Sequence, residues 1–135
     1  MAKKTKTIAF ANNKGGSGKT TTCANVGYSL SVMGKRVLLV DGDMQLNLSL
    51  SFFDEEQVLD FAMGERNLYA AVRKEEDLWD YVVHTPYENL DLIPSSTLMS
   101  GIEYELFTKW QREMILSRGL ARLKAEGGYD YILID

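Results

Sequence analysis

Short apolar runs alternate along the chain with longer stretches of helical periodicity. Thr7-Ile8-Ala9-Phe10-Ala11 predicts a short buried strand, and Val37-Leu38-Leu39-Val40 a second. Leu90-Asp91-Leu92-Ile93-Pro94 predicts a third, stopped by proline, and Tyr131-Ile132-Leu133-Ile134-Asp135 a fourth. Between the first two, Cys23, Val26, Leu30 and Met33 share one helical face, predicting a helix from about Lys19 to Met33 that stops at Gly34. Residues 54–85 read as short helices. Leu68, Ala71 and Val72 make one apolar face there, and Leu78, Tyr81 and Val82 another. A longer helical region carries Ile102, Leu106 and Trp110, then Leu116, Leu120 and Leu123, until Gly127-Gly128 breaks it. Strands too apolar for a one-sided sheet, alternating with helices, predict an α/β fold with a mainly parallel sheet flanked by helices.

Composition narrows the class. The chain has 135 residues, 45% of them hydrophobic and 25% charged, which excludes collagen-like, mucin-like and broadly disordered proteins and allows one domain. Aliphatic runs such as Val37–Val40 are too short to cross a bilayer, and Met1-Ala2-Lys3-Lys4 does not lead into a secretory leader. Cys23 is the one cysteine, so no internal disulfide forms, and no Cys/His cluster suggests zinc or an iron–sulfur centre. The expectation is a soluble, cytoplasmic protein. Net charge is −4, unevenly spread: residues 54–88 hold ten acidic and three basic side chains, the remainder nine acidic and twelve basic. A uniformly basic nucleic-acid surface is therefore not expected, and the acidic stretch reads as a solvated helical face.

The segment that carries chemistry is Asn13-Lys14-Gly15-Gly16-Ser17-Gly18-Lys19-Thr20-Thr21, set between the first strand and the first helix. The common phosphate-loop pattern wants glycine where Asn13 stands, yet the physics of the segment is intact. Gly15, Gly16 and Gly18 let the backbone turn its N–H groups inward as a nest for phosphate oxygens. The helix start adds unpaired N–H groups and a positive dipole end. Lys19 is placed to reach the β- and γ-phosphates, the Thr20 hydroxyl to ligate Mg²⁺, and Thr21 to donate to the α-phosphate. A merely glycine-rich turn would not need lysine and threonine there. Two strands also end in aspartate, at Asp41 and Asp135. Such residues often only cap the next turn, but ligands of parallel sheets collect at the carboxyl ends of strands, where both should converge with the loop.

Lys14-Gly15-Gly16-Ser17-Gly18-Lys19-Thr20-Thr21 resembles the deviant Walker A motif of the ParA/MinD family of ATPases, whose distinguishing feature is the extra lysine, here Lys14. Asp41-Gly42-Asp43-Met44-Gln45-Leu46-Asn47 is similar to the family's switch I segment. Asn89 to Ser95 resembles the strand before its next helix, and Tyr129 to Asp135 its Walker B strand. The resemblance spans nearly all of the chain. It implies a P-loop NTPase-type fold in which residues 1–135 are the N-terminal part of a single ATPase domain, stopping after the Walker B strand. Met44 departs from the pattern, since partition relatives usually carry proline there. Gln45 and Asn47 favour the partition branch over MinD, and the start at the first strand resembles the small, Soj-type members.

The resemblance implies ATP and Mg²⁺, held by Lys14, Gly15, Gly16, Ser17, Gly18, Lys19, Thr20 and Thr21. Lys14 would act in trans across an ATP-dependent homodimer in the manner of an arginine finger. That device is worth about 10³–10⁵ in rate, or roughly 4–7 kcal/mol of barrier. Without the family, Lys14 reads as a solvated loop lysine. Asp43 would position or activate the attacking water, with Asn12 helping to orient it. Asp41 would sit in the outer shell of Mg²⁺, and Asp135 would hold a Mg²⁺-bound water.

The leading functional expectation is an ATPase that dimerises with ATP, binds DNA non-specifically and is stimulated by a ParB-like partner during plasmid or chromosome partition. A MinD-like membrane-positioning ATPase is the second, and would need an amphipathic C-terminal helix absent from this chain. The third is a non-catalytic nucleotide-binding or assembly module, pairing through an unfinished sheet edge. Elsewhere, His84 reads as a surface or packing residue, Cys23 as core, Trp79 and Trp110 as core rather than base-stacking platforms, and Lys3, Lys4 and Lys6 as a solvated terminus.

Overall fold

A computed structural model describes residues 4–10, 18–42, 46–96 and 109–135. Four strands run parallel: β1 (Lys6–Ala9), β2 (Val37–Val40), β4 (Leu90–Ile93) and β5 (Tyr131–Ile134), of which β1 lies at the sheet edge and is exposed along its length rather than buried as its apolar run predicts. A two-residue strand, β3 (Val83–His84), pairs antiparallel to β4, and the sheet runs β1-β5-β2-β4-β3. The helices are α1 (Gly18–Val32), α2 (Asn47–Leu50), α3 (Glu55–Met63), α4 (Leu68–Lys74) and α5 (Lys109–Glu126), with a 3₁₀ turn at Leu78–Tyr81. The parallel sheet flanked by helices agrees with the expectation from the sequence.

Side-chain alternation along the strands builds two apolar layers. Val37, Leu39, Leu90, Leu92 and Leu133 pack with Cys23 and Ala24 of α1. Leu38, Val40, Ile93 and Ile132 face the other way, against α4, the 3₁₀ turn and α5. Because both faces are covered, β2 and β4 are buried throughout and read as continuous apolar runs. Helix α1 lies close to the sheet: a Cβ on Gly27 would come within 2.8 Å of Leu39 Cδ2.

That close approach corrects the predicted inner face of α1. The buried positions are the small residues Thr20, Cys23, Ala24, Gly27 and Ser31, while Val26 and Leu30 are half-buried and Met33 is 71% exposed. Gly34, at φ 87°, ends the helix as expected. Trp110 is also corrected, being 67% exposed rather than core. The buried side of α5 is set by Ile115, Leu120 and Leu123, and five residues before Ile115 the helix has turned about 140° away. The sequence reading also missed β3. Ala11, Ile102 and Leu106 lie outside the described residues.

Candidate functional site

Ladder hydrogen bonds carry the sheet one residue past the strands and align their carboxyl ends. Phe10 N donates to Ile134 O at 2.8 Å, Asp135 N to Val40 O at 2.9 Å, and Asp41 N to Ile93 O at 3.0 Å. Asp135 therefore emerges between β1 and β2, beneath the first turn of α1. Thr20 Oγ1 donates to Asp135 Oδ2 at 2.9 Å, and Lys19 Nζ stands 3.3 Å from Asp135 Oδ1. The Asp135 carboxylate is fully buried, whereas the Lys19 side chain is 25% exposed. Among the described residues Oδ1 accepts no well-directed hydrogen bond, so the Lys19 ammonium is its main compensation. Sequence positions 19, 20 and 135 thus meet at one point.

Asp41 has a further task. Its buried Oδ2 accepts from the backbone N–H of Ser49 at 2.9 Å and from Ser49 Oγ at 2.6 Å. This fastens the first turn of α2, whose preceding residue Leu46 is left-handed at φ 62° and buried against Val58 and Ala62. The strand-end aspartate caps a later turn, an alternative the sequence left open, and Ser49 was missed as its partner. Both carboxylates bear on Cys23: burial first, then the negative charges of Asp135 and Asp41, push its thiol up to about 12. Asp135 thus bonds the first turn of α1 and Asp41 the first turn of α2, and residues 11–17 of the loop they were expected to meet lie outside the described residues.

The remaining candidates divide by position. Gly18 is exposed at the first position of α1 and has open space where a Cβ would stand. Thr21 is exposed and borders a cavity of about 260 Å³ with Asn25, Tyr28, Ser51 and Tyr87. Lys14, Gly15, Gly16, Ser17 and Asp43, with Asn12, Met44 and Gln45, lie outside the described residues.

The donor chemistry fits Mg²⁺ and phosphate. A hydroxyl and a carboxylate 2.9 Å apart are hard oxygen ligands, and a buried carboxylate oxygen lacking a directed donor can accept a metal-bound water. No group of three or more His, Cys, Asp or Glu side chains forms a metal cage among the described residues. Mg²⁺ does not call for one, because it keeps its waters and takes substrate phosphates as ligands.

Residues 5–135 match the AAA domain family. The chain belongs to that family. Within it, the chain is 42% identical to the sporulation initiation inhibitor protein Soj of Bacillus subtilis over 130 residues, which are 96% of this chain and 49% of Soj. It is 39% identical to the chromosome partitioning protein ParA of Caulobacter vibrioides, over 95% of this chain and 46% of that protein. The chain spans about half the length of the curated relatives it matches. Among solved structures, a plasmid partition protein from Borrelia burgdorferi superposes with a TM-score of 0.77 at 30% identity, covering 98% of this chain and 56% of that one. Cobyrinic acid a,c-diamide synthase from Mycobacterium smegmatis, solved with bound ATP analogue and magnesium, superposes with a TM-score of 0.78 at 34% identity, covering 97% and 50%. The fold is that of a P-loop NTPase, and the ParA/Soj resemblance read from the motifs is upheld across the AAA domain match.

Proposed function

We propose that this AAA domain chain is the Mg²⁺·ATP-binding part of a ParA-like ATPase that serves plasmid or chromosome partition, residues 1–135 forming part of a single ATPase domain. The observation that carries the reading is the junction of Lys19, Thr20 and Asp135 at the carboxyl edge of the sheet. Lys19 exchanges Asp135 for the β- and γ-phosphates, cradled by the backbone of Lys14, Gly15, Gly16, Ser17 and Gly18, while Thr21 donates to the α-phosphate. Mg²⁺, when bound, neutralises phosphate charge. Thr20 would ligate it, with Asp135 and Asp41 in its outer shell. Asp43 holds the attacking water in line, and Lys14 reaches the phosphates of a partner protomer in an ATP-dependent homodimer.

Similarity to Soj and to partition proteins supports a cytoplasmic role with non-specific DNA and a ParB-like activator as partners. Among the described residues no helix is long and apolar enough to cross a membrane. The test is single-turnover hydrolysis of Mg²⁺·ATP by the chain, with Asp43→Asn and Lys14→Ala alongside, and light scattering with ATP and with ADP. Hydrolysis above background that both substitutions abolish, with a dimer only in ATP, supports the proposal. Hydrolysis indifferent to both substitutions overturns the assigned roles.

A further inference from the structure

At the opposite end of the sheet from Lys19 and Asp135 lies a cavity of about 300 Å³, bordered by Arg36, Trp79, His84, Asp91, Leu123 and Tyr129. It opens where β2, β4 and β5 begin. Asp91 is a buried charge within an otherwise apolar strand, and both its oxygens are engaged. Tyr129 Oη donates to Oδ2 at 2.6 Å, and His84 Nδ1 stands 2.7 Å from Oδ1. A carboxylate only accepts, so in its bond to Asp91 Nδ1 is the donor; when the ring carries its second proton, Nε2–H is a further donor open to a ligand, at the rim where the His84 side chain is 86% exposed. Burial, then the bond to Asp91, holds the Tyr129 hydroxyl well above its ordinary range, so it remains a donor.

The Arg36 guanidinium stacks on the Tyr129 ring at 4.8 Å and spends one N–H on Gly127 O at 2.8 Å. Among the described residues no carboxylate lies within ion-pair distance of it. The nearby charges are otherwise matched: Arg122, over Trp79 at 4.2 Å, pairs with Glu126 at 3.2 Å, and Asp130 Oδ2 accepts the Arg36 backbone N–H. What the cavity leaves unspent is a guanidinium fork and an imidazole nitrogen beside apolar walls from Trp79 and Leu123. A fork of that kind matches a carboxylate in two-pronged geometry.

We propose that this cavity binds a carboxylate carried on a small apolar body, either a free organic acid or the C-terminus of a peptide. The inference is independent of the ATPase reading. The test uses Trp110→Phe protein, which leaves Trp79 as the sole tryptophan, titrated at constant ionic strength with hexanoate, with hexanamide, and with acetyl-Gly-Gly-Leu and its amide. The expected result is a saturable change in Trp79 emission for at least one of the two carboxylates, with a Kd of roughly 1–10 mM, the range open to ligands of this size. Neither amide produces it. Arg36→Gln weakens binding about tenfold or more, and His84→Asn, at an exposed position, weakens it several-fold, whereas Lys19→Ala leaves it unchanged. Response to hexanoate alone assigns a free acid, and response to the peptide alone assigns a C-terminus. No saturable change with either carboxylate, an equal response to the amides, or binding indifferent to both Arg36→Gln and His84→Asn overturns the proposal.

Discussion

Lys19 compensates the buried Asp135 carboxylate apart from the phosphate role proposed for it, and Lys19→Ala measured without nucleotide exposes this. Among the described residues, the substitution leaves the buried Asp135 carboxylate with one hydrogen bond, from Thr20, and no cation at 3.3 Å. Removing one partner of a fully buried pair costs about 3–5 kcal/mol, whereas exposed pairs are worth about 0.2–1 kcal/mol. With Lys19 25% exposed, an intermediate loss of about 2 kcal/mol follows. Two local effects oppose it: alanine is the better helix former, and removing a cation from the first turn of α1 relieves about 0.3–1 kcal/mol against the dipole. The net expectation is a loss of about 1–1.5 kcal/mol, which a urea m-value of about 1.5 kcal/mol/M turns into a midpoint shift of roughly 0.7–1 M. Asp135→Asn alone is nearly neutral, because the amide oxygen still accepts from Thr20. In the Asp135→Asn background Lys19→Ala costs little, giving a coupling of about 1–2 kcal/mol. Urea unfolding of the four proteins checks this. Additivity within about 0.5 kcal/mol would show that Asp135 does not depend on Lys19, and the argument would fail.

Other consequences follow from groups around the same elements. Ser49→Ala removes the 2.6 Å bond to buried Asp41 and should cost about 1.5–3 kcal/mol in denaturant unfolding, whereas Ser51→Ala, whose hydroxyl caps an exposed carbonyl, stays within about 0.5 kcal/mol. Tyr129→Phe leaves Asp91 Oδ2 without its 2.6 Å donor, and a loss of about 1–3 kcal/mol is expected by the same measurement. Cys23, raised from 9.0 to about 12, keeps its proton in the folded chain at pH values where the unfolded chain has lost it. The unfolded state then binds fewer protons, so stability falls as pH climbs from about 9 toward 12. Cys23→Ala should flatten that slope in unfolding titrations across this range, and an unchanged slope would place the loss elsewhere.

The parts of the fold legible in the sequence are those where one physical requirement dictates residue type. Val37–Val40 reads as a strand covered on both faces, and Gly18, Lys19 and Thr20 announced the start of α1. Long-range juxtapositions were less visible. The inner face of α1 was misjudged because close approach to Leu39 selects glycine and alanine over larger apolar residues, sending Met33 outward. Trp110 was misplaced because a helical stripe drifts, so a residue one and a half turns before the buried set need not share its face. The Asp41–Ser49 tie spans a loop that local pattern does not close. The network of His84, Asp91 and Tyr129 left a usable sign: a charge inside Leu90-Asp91-Leu92-Ile93 must find partners if that strand is buried.

The central claim is that Lys19, Thr20 and Asp135 form the phosphate and Mg²⁺ end of a nucleotide site. Calorimetric titration of the chain with ATP, in Mg²⁺ and in EDTA, tests it most directly, with Lys19→Ala and Thr20→Ala alongside. The account predicts saturable binding that Lys19→Ala abolishes and that Thr20→Ala weakens only when Mg²⁺ is present. No binding, or binding that Lys19→Ala leaves intact, would contradict it.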